Sequence, residues 1–146
     1  MASYTRAEME EAFAHYQKVA AEAARSGDWR PWAELFTDDA TYIEHVFGQF
    51  TGPDQIHAWI TKTMATPPND EMREFPIDWA VIDEQRGWIV AAIWNRMTDP
   101  GDGQLHQAIN WTLLKYAGAN KWSWEEDLYN PLEFASMIKD WQTVKG

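Results

Sequence analysis

The sequence predicts an α+β domain in which helices come first and a run of antiparallel strands follows. Three observations carry this. Apolar residues recur at helical spacing near the N-terminus, and β-branched and aromatic residues dominate the stretch after Glu71. Turn sequences rich in Gly, Asp and Asn cut that stretch into pieces of strand length.

The elements follow in order. Thr5-Arg6-Ala7-Glu8 has the form of a capping box, and behind it Met9, Phe13, Tyr16, Ala20 and Ala23 make one apolar helical face. Ser26-Gly27 ends this helix, and Asp28 is placed to cap a short second one running through Trp32 to Phe36. Asp38-Asp39 then turns the chain into a strand from Ala40 to Phe47. Thr51-Gly52-Pro53 opens a third helix carrying Ile56, Trp59, Ile60 and Met64, and Pro68–Asp70 reads as a loop. Four strands follow: Arg73–Ile82, Trp88–Thr98, Leu105–Tyr116 and Trp122–Tyr129. Asn130-Pro131 caps a last helix that ends near Trp141. Nothing repeats and no stretch is linker-like, so residues 1–146 read as one domain.

Composition narrows the function. The formal net charge is −11, with 12 basic against 23 acidic residues, a field that disfavours nucleic acid and anionic membranes as partners. The absence of cysteine removes disulfides, thiolate metal sites and a cysteine nucleophile. No run approaches a membrane span or a signal peptide, so the expected location is the cytoplasm. Four scattered histidines show no metal-ligand spacing, and no Gly-rich phosphate loop is present; neither a metal nor a cofactor is expected. Ten tryptophans exceed what a core of this size needs, which points to an apolar cavity, a subunit interface, or both.

Strand parity sharpens that reading. His106, Ala108, Asn110 and Thr112 fall on one face of their strand and Ile109, Trp111 and Leu113 on the other. In the last strand Glu125, Asp127 and Tyr129 share a face, opposite Trp122 and Trp124. If helices cover the polar side, it lines a cavity. The Trp-rich side then needs cover, and a second copy of the chain is the simplest partner.

The order Gly27-Asp28-Trp29, Leu35-Phe36-Thr37-Asp38-Asp39-Ala40-Thr41 and Thr51-Gly52-Pro53 resembles the nuclear transport factor 2-like superfamily. That group includes the ketosteroid isomerases and the SnoaL-like polyketide cyclases. The resemblance implies a cone-shaped fold, with a curved antiparallel sheet wrapped around N-terminal helices over a deep apolar pocket, and dimers formed through the outer sheet face. It sets Glu44 at the isomerase general-base position and Asn110 at that of the oxyanion acid. The helix-one tyrosine of the isomerases falls on Ala20, with Tyr16 one turn earlier. The end strand is similar to the SnoaL-like strand whose Asp is the acid/base, which here is Asp127. The Arg-x-Asp pair of limonene-epoxide hydrolases is missing from Asn95-Arg96-Met97-Thr98.

The resulting catalytic candidates are Glu44, Asp127, Asn110 and His106, the last as a proton shuttle; Tyr16, Tyr42, Tyr129 and Trp32 are the substrate-binding candidates. His45 points away from Glu44 by parity, and His15 and His57 read as helix-surface or packing residues. The leading expectation is a cofactor-independent isomerase, cyclase or lyase using acid/base chemistry on a small hydrophobic cyclic or aromatic molecule. A non-catalytic binding protein and a protein-interaction domain are the alternatives that this fold also hosts.

Overall fold

The computed structural model of the chain describes residues 4–146. Helix α1 spans Arg6–Ser26; the Thr5 hydroxyl accepts from the Glu8 N–H, and Gly27, in the left-handed region, ends it. The short α2 (Arg30–Ala33) follows, with the Asp28 carboxylate accepting from the Arg30 N–H. Strand β1 (Phe36–Glu44) turns through His45–Phe47 into β2 (Gly48–Thr51), which leads into α3 (Gly52–Ala65). After a short 3-10 turn come β3 (Met72–Glu74), β4 (Ile77–Asp83), β5 (Trp88–Met97), β6 (Gln107–Gly118) and β7 (Lys121–Leu128). Helix α4 (Pro131–Lys145) closes the chain, capped by Asn130.

The α+β class stands: one curved, unclosed sheet in the order β2-β1-β7-β6-β5-β3, with β4 also on β5, wraps against the helices. The sheet is not wholly antiparallel, however. Strand β1 runs parallel to β7, with Tyr42 beside Glu125 and Glu44 beside Asp127. No local pattern announces a pairing across so much sequence; it follows from β1 taking the free edge of the hairpin that β6 and β7 form.

Four local expectations change. The first strand stops at Glu44, because His45–Phe47 form a hairpin turn that the Glu44 carboxylate itself holds. It also starts earlier, at Phe36, so α2 ends at Ala33 rather than Phe36. The stretch Arg73–Ile82 is two strands: Pro76 lacks an N–H, and the ladder onto β5 is interrupted there. Trp122 lies inside, not outside. A bulge at Ser123, where β6 advances one residue from Lys115 to Tyr116 while β7 passes from Trp124 to Trp122, reverses the facing of everything before it. Trp122 is fully buried against Tyr16 and Tyr116.

Gly52 explains the Thr-Gly-Pro sequence before α3. Its φ is +76°, and a Cβ there would lie 2.7 Å from the Asp38 carbonyl oxygen, so α3 enters hard against β1 only with glycine. This close approach sets Trp59 and Ile60 over the concave face of the sheet, where Met9, Phe13, Tyr16, Trp32 and Phe36 complete the main core. A second cluster, Met72, Met97, Ala108, Met137 and Trp141, packs α4 against the far end of β5 and β6. Among the described residues, no helix is long and apolar enough to cross a membrane.

Candidate active site

Between α1, α2, α3 and the concave sheet face lies a cavity of about 190 Å³. Trp29, Trp32, Tyr42, Phe47, Trp59, Phe75 and Phe134 are among its walls, and Glu44, Glu125 and Asp127 are its carboxyls. Sheet register assembles the polar side. Glu44, Asp127 and Thr112 lie in one row across β1, β7 and β6, and Tyr42 and Glu125 lie in the next.

The two inward carboxyls of β7, Glu125 and Asp127, are buried. Asp127 accepts hydrogen bonds from the Tyr42 phenol and from Thr112 Oγ1 at 2.8 Å, and Thr112 in turn accepts from Asn110 Nδ2 at 2.9 Å. Glu125 accepts from the Tyr16 phenol at 2.6 Å. Glu125 and Asp127 stand two residues apart on one face of β7, both buried and both lining the cavity. Burial raises the Glu125 carboxyl well above the ordinary range, and the adjacent Asp127 charge raises it further. Burial raises Asp127 as well, against the pull of its hydrogen-bond donors. Two carboxyls this close cannot both ionise cheaply, so the pair holds a proton and titrates as a unit. Burial, then the Glu125 and Asp127 charges, raises the Tyr16 and Tyr42 phenols well beyond their usual range; both stay as donors.

Glu44 is built differently. Its Oε1 accepts from the Val46 and Phe47 N–H groups at 2.7 and 3.3 Å, and its Oε2 from Tyr129 Oη at 2.6 Å. Tyr129, half-buried, is raised by burial first and then by its bond to Glu44. Its ring packs on Phe134 of α4 at 4.6 Å.

Of the residues singled out from sequence, Glu44, Asp127, Asn110, Tyr16, Tyr42, Tyr129 and Trp32 all border this one cavity. His106 does not. It precedes β6, with Nε2 2.9 Å from Asp102 Oδ2 in the β5–β6 turn. Parity set it on the inward side, but Ala108 and the α4 cluster fill that end of the sheet and separate it from the cavity. Asn110 gives one N–H to Thr112, and its carbonyl oxygen, an acceptor, is left without a partner. His45 points outward to Glu126 at 2.7 Å, as parity required. Glu125 is the site residue that sequence reasoning missed, although its alternation with Asp127 on one strand face carried the signal.

The SnoaL-like domain model matches residues 7–112. The chain belongs to the SnoaL-like family. Solved structures share the fold over most of the chain. A protein of ketosteroid isomerase-like fold from Catenulispora acidiphila DSM 44928, in complex with trimethylamine, is 20% identical with a TM-score of 0.66, covering 84% of this chain and 90% of that one. A candidate SnoaL-like polyketide cyclase from Shewanella putrefaciens CN-32 is 12% identical with a TM-score of 0.65, covering 90% and 96%. The epoxide hydrolase/cyclase-like enzyme SalBIII, of pyran ring formation in the polyether salinomycin, is 16% identical with a TM-score of 0.61, covering 86% and 92%. Comparison with curated proteins gives no match.

Proposed function

We propose that the protein is an acid/base enzyme of isomerase, cyclase or lyase type, acting without a cofactor on a small hydrophobic ring compound. The observation that carries this reading is the Glu125–Asp127 pair: two neighbouring carboxyls buried in an aromatic cavity, held by phenols and a hydroxyl and raised in pKa by burial. Such a pair exchanges a proton at a pH where an isolated carboxyl has none to give, and proton transfer from a positioned group contributes roughly 10²–10⁴-fold to rate. A C–H next to a carbonyl, held against Asp127, passes its proton to the pair; the pair returns it at another carbon or to a leaving oxygen. Tyr16, Tyr42 and Thr112 hold the carboxyls in place throughout. Trp59 borders the cavity with its indole N–H unpartnered, a donor available to an oxygen of the bound compound.

Glu44 is a second base on the same wall, held in place by the Val46 and Phe47 N–H groups and by Tyr129. The reading includes a homodimer. Trp79, Val81, Trp111 and Leu128 stand exposed on the outer sheet face, with Trp79 and Trp111 in edge contact at 5.2 Å, and a second copy covering them would supply the missing neighbours.

The test does not require the natural substrate. Cyclic ketones, lactones and phenols are incubated with the protein in deuterated water, and exchange of activated C–H positions is followed by proton NMR. Enzyme-dependent exchange is expected with at least one ring ketone, falling about 10²–10⁴-fold in Asp127→Asn. Exchange that persists unchanged in both Asp127→Asn and Glu44→Gln removes the mechanism.

A further inference from the structure

We propose that the compound taken into this cavity carries a protonated amine, whose N–H is received by the unpartnered Asn110 carbonyl among the aromatic rings and carboxyls of the cavity wall. The inference deepens the acid/base reading and rests on it for the identity of the site.

The first observation is a charge imbalance. The chain has 12 Lys and Arg and 4 His, yet none of them lines the cavity, while Glu44, Glu125 and Asp127 all do. Buried acids in folded proteins are ordinarily matched by a guanidinium, an ammonium or a metal. Here phenols, a hydroxyl and backbone N–H groups hold them, which leaves the negative field of the site uncompensated by any cation of the protein. The carboxyls do not gather into a set able to hold a metal ion either: among the described residues, no group of three such ligands is so arranged.

The second observation is independent of the acids. Asn110 is only 8% exposed, lines the cavity, and leaves Oδ1 with no partner. The network fixes its orientation. Thr112 gives its own proton to Asp127, so it can only accept from Asn110, and the amide nitrogen must face it. A buried carbonyl without a donor is costly, and a ligand N–H removes that cost. A carbonyl or ether oxygen on the ligand would instead meet Asn110 oxygen against oxygen.

The third observation is the wall itself. Trp29, Trp32, Trp59 and Tyr42 present ring surface around the cavity, and the negative face of an aromatic ring attracts a desolvated cation. Acceptor, field and rings therefore favour the same charge type. The raised Glu125 and Asp127 carboxyls agree, since their burial together is the strain an entering cation relieves.

The test is a binding comparison among single-ring probes of matched size. Benzylammonium, benzyl alcohol and benzoate are titrated into the intact protein at neutral pH by calorimetry, with tryptophan fluorescence as a second signal. Benzylammonium is expected to bind about tenfold tighter than benzyl alcohol, within the range a desolvated cation–aromatic contact supplies, and benzoate weakest of the three. In Asn110→Leu that preference shrinks, benzylammonium losing more affinity than benzyl alcohol because an ammonium makes the stronger bond to the carbonyl. If the Leu variant does not fold, Asn110→Ala is measured in its place. Benzyl alcohol or benzoate binding as tightly as benzylammonium, no benzylammonium binding at millimolar concentration, or an undiminished preference in the Asn110 variant overturns the proposal. Binding and turnover fail separately. Charge preference without C–H exchange sinks the acid/base reading and leaves this one; exchange on neutral ketones without charge preference does the reverse.

Discussion

The concave and convex faces of β6 and β7 are made by alternate residues of the same two strands, yet they carry opposite chemistry. Inward, Asn110, Thr112, Glu125 and Asp127 are nine-tenths or more buried and bound to one another or to phenols. Outward, Trp111 and Leu128 are half exposed, and Lys115 lies between the rings of Trp88 and Trp124 at 4.8 and 4.1 Å. The usual half-buried sheet puts apolar residues inside and polar ones outside. Here Asn110, Thr112, Glu125 and Asp127 are inside while Trp111 and Leu128 lie exposed outside, so the inner face is a site and the outer face needs cover. Burial, more than residue type, sets what a side chain does: a carboxyl at the surface is a solubilising charge, and the same group under α1 holds a proton.

Four measurements probe this contrast, in descending order of effect. Trp122→Ala should cost about 3–5 kcal/mol in urea unfolding, because it empties the centre of the core, whereas Trp111→Ala at low protein concentration should stay within about 0.5 kcal/mol. Similar losses at both positions would mean the bulge at Ser123 does not separate the two faces. Next, Trp111→Glu should weaken the proposed homodimer by about 2 kcal/mol or more, read by sedimentation equilibrium, with the fold intact. A variant that sediments like the parent protein argues against that interface.

The third measurement concerns the acids. Glu125 is raised in the folded state, so the native protein keeps a proton that the unfolded chain releases once pH passes the ordinary carboxylate range. Stability from this group is complete in acid and declines as pH rises toward the folded pKa, with a limiting slope of about 1.4 kcal/mol per pH unit. Glu125→Gln should therefore flatten the fall in melting temperature between acid and neutral pH. A parallel profile in the variant would place the proton elsewhere. Last and smallest, Lys115→Met should cost about 0.5–1 kcal/mol through the lost cation–aromatic contacts, and should leave probe binding unchanged.

Much of the fold is legible in the chain itself. Helix ends are marked by Thr5, Gly27 and Asn130, whose side chains or backbone freedom satisfy groups that a helix must leave open. The polar stripe on β6 and most of that on β7 follow from the two-residue period of a strand. What escapes depends on partners distant in sequence or on a change of count. The parallel pairing of β1 with β7 is decided by which edge is free. The Ser123 bulge shifts parity by one residue and carries Trp122 inside. Proximity to the far end of a hairpin, which keeps His106 out, depends on where α4 lands. Asn110 is legible as a site residue, but not which of its two ends is spare, because that is settled by Thr112 and Asp127 together.

The bond from Tyr16 to Glu125 and the bond from Tyr42 to Asp127 span 109 and 85 residues of sequence. On a ribosome, then, α1 and β1 emerge long before the strand that satisfies them, and their tyrosines and aromatic stripe must wait for it. Closing loops of that length is slow, and an unpaired β1 edge is adhesive in the meantime. The site is thus also the fold's closing seam. Truncation anywhere before Lys121 leaves the nascent chain with an open sheet edge and no carboxyl pair, a species that chaperones and proteases recognise as unfinished.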